Sequence, residues 1–460
     1  MDTKQLRQKI LDLAIRGKLV PQDPNNEPAS VLLARVKAEK ERLIAEGKIK
    51  RSKKTATTTD KPHYADWNLP SGWVWVKLED IAIDMADGPF GSNLKSSHYK
   101  TDRVVLIIQL SNIGEYGWRD DNVRYTTFEH AKDIQRSIVD SGDIVIAKMM
   151  PAGRAIICPN KDKAYVLSSD AVKLKPSSLL NISYLLYAIN SPLFQNQVNE
   201  NVQGVTRLRT SIAKLKSYAF PLPPLNEQTR IVNSLVHYLS IIDNIQDSIE
   251  SINGGIVQVK SKILELAISG KLVAQDPSDE PAADLLQRVN PNAIVSTDKS
   301  HYGQLPDGWC YTTMNFICHL YDGEKVENKE LINLDAKYLR GKSEGNTLNK
   351  GRFVPENTTM ILVDGENSGE IFTAPINGYQ GSTFKLLDIS EEMNAEYVKM
   401  IIRIYQKRLR DNKVGSAIPH LNKKMFREIL IPVPPIAEQL RIVERTNELM
   451  SKITELTEAL

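Results

Sequence analysis

The sequence predicts an α+β chain: two mixed α/β blocks joined by long antiparallel coiled-coil helices in a pseudo-two-fold, pseudo-cyclic arrangement. Three observations carry that expectation. A segment of the chain recurs in its second half, a 4,3 apolar seam runs between the copies, and the stretches enclosed by the repeats share little identity.

Lys9 to Val36 (KILDLAIRGKLVPQDPNNEPASVLLARV) matches Lys262 to Val289 (KILELAISGKLVAQDPSDEPAADLLQRV) at 20 of 28 positions, with an offset of 253. LPSGW (Leu69 to Trp73) then pairs with LPDGW (Leu305 to Trp309), and PLPPLNEQTRIV (Pro221 to Val232) with PVPPIAEQLRIV (Pro432 to Val443) at an offset of 211. A period near half the chain length means two copies of one architecture. Carried onward, the offsets align Leu460 with Ile249 and Met1 with Gly254, so the two ends together rebuild the middle except for residues 250–253. The termini are therefore expected to lie close together. The divisions that follow are 1–62, a helical segment and linker; 63–220, a first variable block; 221–300, a central spacer; 301–431, a second variable block; and 432–460, a closing helix.

The seam consists of Ile231, Leu235, Tyr238, Ile242, Ile245, Ile249, Ile252, Ile256, Val259, Ile263 and Leu266. This spacing belongs to a coiled coil. It spans about 50 Å as an α-helix. Asn226, after a proline-rich run, is the expected N-cap, and Gly270 the expected stop. Gly254 and Gly255 interrupt the seam at about 1 kcal/mol each against Ala and are expected to mark a bend. Ile442, Leu449, Ile453, Leu456 and Leu460, with Leu6, Ile10 and Leu13, supply the partner stripe. A chain that leaves one block and returns from the other makes such a pair antiparallel.

Composition bounds the chemistry. The 460 residues exceed one compact core, and 41% hydrophobic content suffices to bury two to four domains. The net charge of +3 confines any nucleic-acid surface to local patches. Three cysteines without a CxxC pair argue against disulfides and zinc, and fit a reducing compartment. The N-terminus does not read as a signal peptide, and no stretch of about 18 uncharged apolar residues occurs. The expectation is a soluble, cytoplasmic protein.

Taken together, PPLNEQTRIV, PPIAEQLRIV, the duplicated KIL segment and LPxGW before each variable block closely resemble type I restriction-modification specificity subunits. The resemblance covers nearly the whole chain. It implies that each variable block is a target-recognition domain reading one half of a bipartite double-stranded DNA site. It also implies that the repeated helices fix the spacing and dock two methyltransferase subunits and, through them, restriction subunits. Those partners, not this chain, would use S-adenosylmethionine, ATP and Mg. Within the blocks the resemblance extends to GPFGSNLKSSHY (Gly88 to Tyr99), SGDIVIAKMMPAGRA (Ser141 to Ala155), TTMILVDGENSGE (Thr358 to Glu370) and GSAIPHLNKKMF (Gly415 to Phe426). The second block has no evident counterpart to GPFGS.

Candidate DNA contacts cluster at the end of each block. Arg207, Arg209 and Lys214 stand in a stretch without carboxylates, as do His420, Asn422, Lys423 and Lys424. A glycine followed by Ser or Thr and a basic helical stretch suits phosphate. Arg207 and Arg209 alternatively suit guanine, and Asn422 an adenine edge. A solvated basic face is the plain alternative for each. Ser92, Asn93 and Lys95 fit a DNA-contacting loop or an ordinary turn. Lys148 and Arg154 flank a Pro-Gly turn placed to reach a groove. Arg403, Lys407 and Arg410 read as surface, and KIKRSKK (Lys48 to Lys54) as a linker.

No catalytic motif appears. An Asn/Asp-Pro-Pro-aromatic methyltransferase motif is missing, and Gly17-Lys18 and Gly270-Lys271 lack the upstream glycine of a P-loop, reading instead as helix C-caps. Pro306-Asp307 with Glu327 and Lys329 mimics a nuclease order, but Ser71 fills the position of Asp307 in the first half. The leading expectation is a non-catalytic DNA-recognition and assembly subunit; the alternatives are a coiled-coil adaptor and a nuclease-bearing recognition protein.

Overall fold

The computed structural model describes residues 2–51, 67–90, 93–161, 164–202, 208–293, 295, 305–414 and 419–458. The chain divides into two compact units, Met1–Ser248 and Ile249–Leu460. The sequence repeats turn out to be contact partners within each unit.

In the first unit, α1 (Thr3–Ile15) ends where Gly17 takes φ +66°, with Lys18 N donating to Leu13 O and Gly17 N to Ala14 O. This double bond is a Schellman cap. The chain continues through α2 (Ala29–Ala45) to β1 (Val74–Lys77) and then α3 (Leu78–Ile81). Two sheets make the recognition block. One has the order β2-β9-β6-β7, with β2 at Ala82–Asp87, β6 at Ile144–Ala147, β7 at Ala155–Ile157 and β9 at Ala171–Pro176. The other has the order β4-β3-β8-β5, from β3 (Val105–Ile108), β4 (Arg124–Thr126), β5 (Ile138–Val139) and β8 (Ala164–Leu167). α4 (Phe128–Asp133) lies in the second sheet's excursion, and α5 (Ile182–Asn190), α6 (Pro192–Glu200) and α7 (Ile212–Ser217) follow the sheets. β10 (Ala219–Leu222) then returns to pair antiparallel with β1, Val74 opposite Leu222. The strands Ile144–Ala147 and Val105–Ile108 are buried at every position, as continuous apolar runs require.

α8 (Leu225–Ile268) is a single helix of 44 residues, which fits a coiled-coil linker. One sequence expectation is corrected here. The helix starts at Leu225, so Asn226 lies in its first turn and Pro224 O accepts from Glu227 N and Gln228 N. It also runs unbroken through Gly254 and Gly255, beside whose missing side chains no atom lies within 4 Å. α1 runs antiparallel to the first half of α8: Thr3 Oγ1 donates to Gln246 Oε1, and Arg7 pairs with Asp243. Of the seam residues, Ile231, Leu235, Ile242 and Ile263 are buried, whereas Tyr238, Ile252 and Val259 are exposed.

The second unit repeats the frame. After α8 closes at Gly270, α9 (Ala282–Val289) matches α2, β11 (Cys310–Thr313) matches β1, and α10 (Met314–Ile317) matches α3. Its sheet β12-β18-β15-β16 uses Cys318–Tyr321, Phe384–Ile389, Thr359–Leu362 and Ile371–Thr373. In place of a second open sheet, β13 (Lys325–Leu334), β14 (Thr347–Val354) and β17 (Gly378–Gln380) close on one another, with α11 (Ala336–Leu339) between β13 and β14. α12 (Ala395–Asp411) and α13 (Lys423–Arg427) lead to β19 (Leu430–Val433), which pairs with β11, and then to α14 (Ile436–Glu458).

The same polar contacts tie each frame. Gln22 Nε2 donates to Gly17 O and Glu227 Oε1; Gln275 Nε2 donates to Gly270 O and Glu438 Oε1. Gln228 Oε1 accepts from Asn181 N, and Gln439 Oε1 from Asn394 N. Tyr184 Oη donates to Pro221 O, and Tyr397 Oη to Pro432 O. The QDP, PPxxEQ and LPxGW repeats are thus halves of one joint.

Two predictions follow from this packing. A Cβ on Gly270 would lie 2.2 Å from Pro306 Cγ in a left-handed backbone. Gly270→Ala should cost more than about 2 kcal/mol, while Gly254→Ala, in open helix, should gain up to about 1 kcal/mol. Urea unfolding of both variants checks the opposite signs. Cys158, Cys310 and Cys318 are free and buried, and burial pushes each thiol up to about 12. Only the thiolate reacts, so at pH 8 iodoacetamide should leave the native chain unmodified and label all three after unfolding; mass spectrometry reads the count.

Candidate nucleic-acid interface

The apolar strands of β2, β6 and β9 end in register, Asp87 opposite Val172 and Ala147 opposite Ala171. That register gathers the turns after β2 and β6 and the turn before β9 along one sheet edge. Gly88 N donates to Ala171 O, and a Cβ there would meet Ser168 O at 1.7 Å, so only glycine fits. The chain entering α7 closes the edge: Thr210 N donates to Lys148 O at 2.8 Å, and Arg209 bridges Met149.

Lys148 does not reach out as expected. Its side chain is 9% exposed, its Nζ lies 2.9 Å from Asp87 Oδ1, and the Phe90 ring sits over it at 4.6 Å. A buried ammonium requires such a partner. Arg209 instead stays half-exposed, with Nη2 3.6 Å from Asp170 Oδ1. Phe90 and Met150 are exposed beside it.

The second unit builds the same edge. Leu362 pairs with Phe384 and Tyr321 with Leu386, Leu421 N donates to Val363 O at 2.7 Å, and His420 bridges Asp364. Val363 thereby stands where Lys148 does, Asp364 where Met149 does, and His420 where Arg209 does. His420 Nδ1 lies 2.6 Å from Asp364 Oδ1. Asp322-Gly323 ends β12 as Asp87-Gly88 ends β2, and a Cβ on Gly323 would meet Phe353 O at 2.1 Å. Burial opposes charge on Asp322, but hydrogen bonds from Lys385 (2.5 Å) and Gln380 (2.8 Å) outweigh it and hold the carboxyl below its usual range.

The other sequence candidates disperse. Ser92 and Arg207 lie outside the described residues, as do Leu460 and the basic linker from Ser52 onward. Asn93 and Lys95 are exposed in a turn where Asn93 N donates to Phe90 O. Lys214 Nζ donates to Asn201 O at 2.6 Å. Arg154 lines a cleft of about 630 Å³ with Lys4, Arg7, Tyr116 and Asp243. Lys423 and Lys424 are exposed on α13, Lys424 facing Glu428 at 3.9 Å. Asn422 is the N-cap of α13, its Oδ1 accepting from Met425 N at 3.0 Å as Ser211 caps α7. The cap fixes the orientation of that amide and uses one of the two lone pairs of its oxygen.

Sequence reasoning passed over Asp87, Asp170, Asp364 and the Asp-Gly counterpart of the first glycine loop. The Asp-Gly pair was visible, shifted by one residue against the LPxGW register. Among the described residues, no group of three His, Cys, Asp or Glu side chains could hold a metal, and no helix is long and apolar enough to cross a membrane.

The inward Lys148 yields a stability prediction. Lys148→Met should cost about 3 kcal/mol by stranding Asp87, and adding Asp87→Leu should recover part of it. A double-mutant cycle in urea checks this, and additive losses would show the pair to be uncoupled.

The comparisons agree with this architecture. The family model described as Type I restriction modification DNA specificity domain matches residues 70–253 and 308–460. The type I restriction enzyme EcoAI specificity subunit of Escherichia coli is 25% identical over 98% of this chain and 90% of its own length. The EcoEI specificity subunit of Escherichia coli is 25% identical over 97% and 88%. A solved chain described as "Structural basis underlying complex assembly and conformational transition of the type I R-M system" superposes with a TM-score of 0.58 at 16% identity, covering 85% of this chain and 94% of that one. Two units on one repeated frame, each with its own sheet edge, and a family match across both: the chain belongs to the type I restriction-modification DNA specificity family.

Proposed function

We propose that this chain reads a bipartite double-stranded DNA target, one half-site with residues 63–220 and the other with residues 301–431. Residues 1–62, 221–300 and 432–460 then form the frame that docks two methyltransferase subunits and, through them, restriction subunits. The chain itself is non-catalytic and works in the cytoplasm. S-adenosylmethionine, ATP and Mg serve the partners.

The observation that carries this reading is the pair of equivalent sheet edges, alike in backbone and unlike in side chains. Arg209 and the exposed Phe90 and Met150 mark the first; His420, Asp364 and the Asp322 network mark the second. Equivalent edges with different chemistry suit two unlike half-sites. Linking two readers turns the second binding event into an intramolecular one, so two modest half-site affinities multiply. Arg209, Lys214, Arg154, Asn93, Lys95, His420, Lys423 and Lys424, with Ser92 and Arg207, make up the proposed contact set. Lys148 and Asn422 shape the edges from within.

The test is the methylome of cells carrying this chain with its methyltransferase. A split, non-palindromic motif is expected, and replacing residues 63–220 by the block of another such subunit should change one half only. A palindromic motif, or both halves changing together, would sink the proposal. Purified chain with Mg should leave DNA uncut.

A further inference from the structure

The two sheet edges hold one polar side chain at the same place, and each has a carboxylate beside it. Arg209 and His420 both sit in the residue just before the backbone bond that closes the edge, Thr210 N to Lys148 O in one unit and Leu421 N to Val363 O in the other. Their side chains are 56% and 51% exposed, and Asp170 and Asp364 stand beside them at 3.6 and 2.6 Å. Among the described residues nearby, Lys148 is buried on Asp87 and Lys214 bonds a carbonyl.

We propose that Arg209 and His420 are the equivalent base-reading residues of the two recognition domains, each aimed by its neighbouring carboxylate, so that Asp170 and Asp364 are positioning residues. The assignment rests on the DNA-reading function proposed above. A phosphate contact gains from positive charge and needs little orientation, and a carboxylate beside the cation weakens it. A base-edge contact gains from orientation, which the carboxylate supplies by removing rotamers. Arg209 has five donors and spends no more than one side of its fork on Asp170, leaving a pair of N–H groups for guanine O6 and N7. His420 turns Nδ1 to Asp364, leaving Nε2 as its one remaining hydrogen-bonding atom, enough for a single base-edge contact. The first domain therefore reads a guanine at this position, and the second makes a one-bond contact to a base.

Methylome motifs of the variants decide the matter, measured with the full chain and its methyltransferase. Arg209→Lys keeps the charge and loses the fork. It should make one guanine of one half-site degenerate, with discrimination there falling about tenfold or more, and leave the other half unchanged. His420→Ala should relax one position of the other half-site. Asp170→Asn and Asp364→Asn should relax the same positions as the residues they aim, which a purely structural role would not do. Uniform loss of methylation at every site with the motif intact, or relaxation spread over both halves, overturns the assignment. A native chain with no split motif removes the DNA-reading function and this assignment together. A split native motif that R209K and H420A leave unaltered removes the assignment alone.

Discussion

A buried glutamate at the start of each long helix is the contact on which both units depend. Glu227 and Glu438 are almost wholly buried. Each accepts from the glutamine of the QDP loop, and Glu438 also accepts from Trp309 Nε1. A buried carboxylate without donors would cost several kcal/mol, so the loop and the helix start must be assembled together in both units, and in the second the LPxGW tryptophan joins them, whereas Trp73 Nε1 is buried without a partner. The adjacent glutamine extends the joint to the recognition block, because Gln228 and Gln439 bond the N-cap residues of α5 and α12. Short hairpin-like pairs, β1 with β10 and β11 with β19, then bring both ends of each block back to one place. A block whose two ends meet can change internally without disturbing its neighbours.

That logic explains what was legible in the sequence. The repeats were visible because the joint fixes residue identities: Gln22 and Gln275 bond the buried Glu227 and Glu438, and Gly17 and Gly270 take a left-handed backbone. The seam was visible because periodicity survives side-chain changes. The sheet edges were harder to find. A search for basic stretches reaches both edges, since Arg209 and His420 lie in them, but charge alone does not reveal which side chains turn inward. Lys148 is drawn under Phe90 by Asp87, a residue 61 positions away, and Asn422 caps a helix only five residues long. The carboxylates that organise each edge were overlooked because they oppose the sign expected of a DNA surface.

The two units also differ where a strict duplication would not. The first completes its recognition block with a four-stranded sheet in which β3 and β8 run parallel; the second uses three strands closed on each other. Both solutions leave the sheet beside the frame in the same order, so the shared edge survives a change in everything beyond it. The two edges share a backbone and differ in the side chains on their turns, where substitutions cost least in packing.

The frame itself is not symmetric at its braces. In the second unit Arg441 grips Asp279 at 2.6 Å, the aspartate side chain being 8% exposed. The same positions of the first unit are Arg230 and Asn26, and Arg230 makes a 3.4 Å bond to Pro21 O while Asn26 Nδ2 is buried without a partner. Replacing a carboxylate by an amide removes the Coulombic part of the contact. The second joint is therefore braced by an ion pair that the first lacks. The second also has the bond from Trp309 Nε1 to Glu438, where Trp73 Nε1 is unpartnered, so the first frame should be the looser of the two. An internal duplication is thus free to drift at its braces once the buried glutamate and its glutamine donor hold each joint closed.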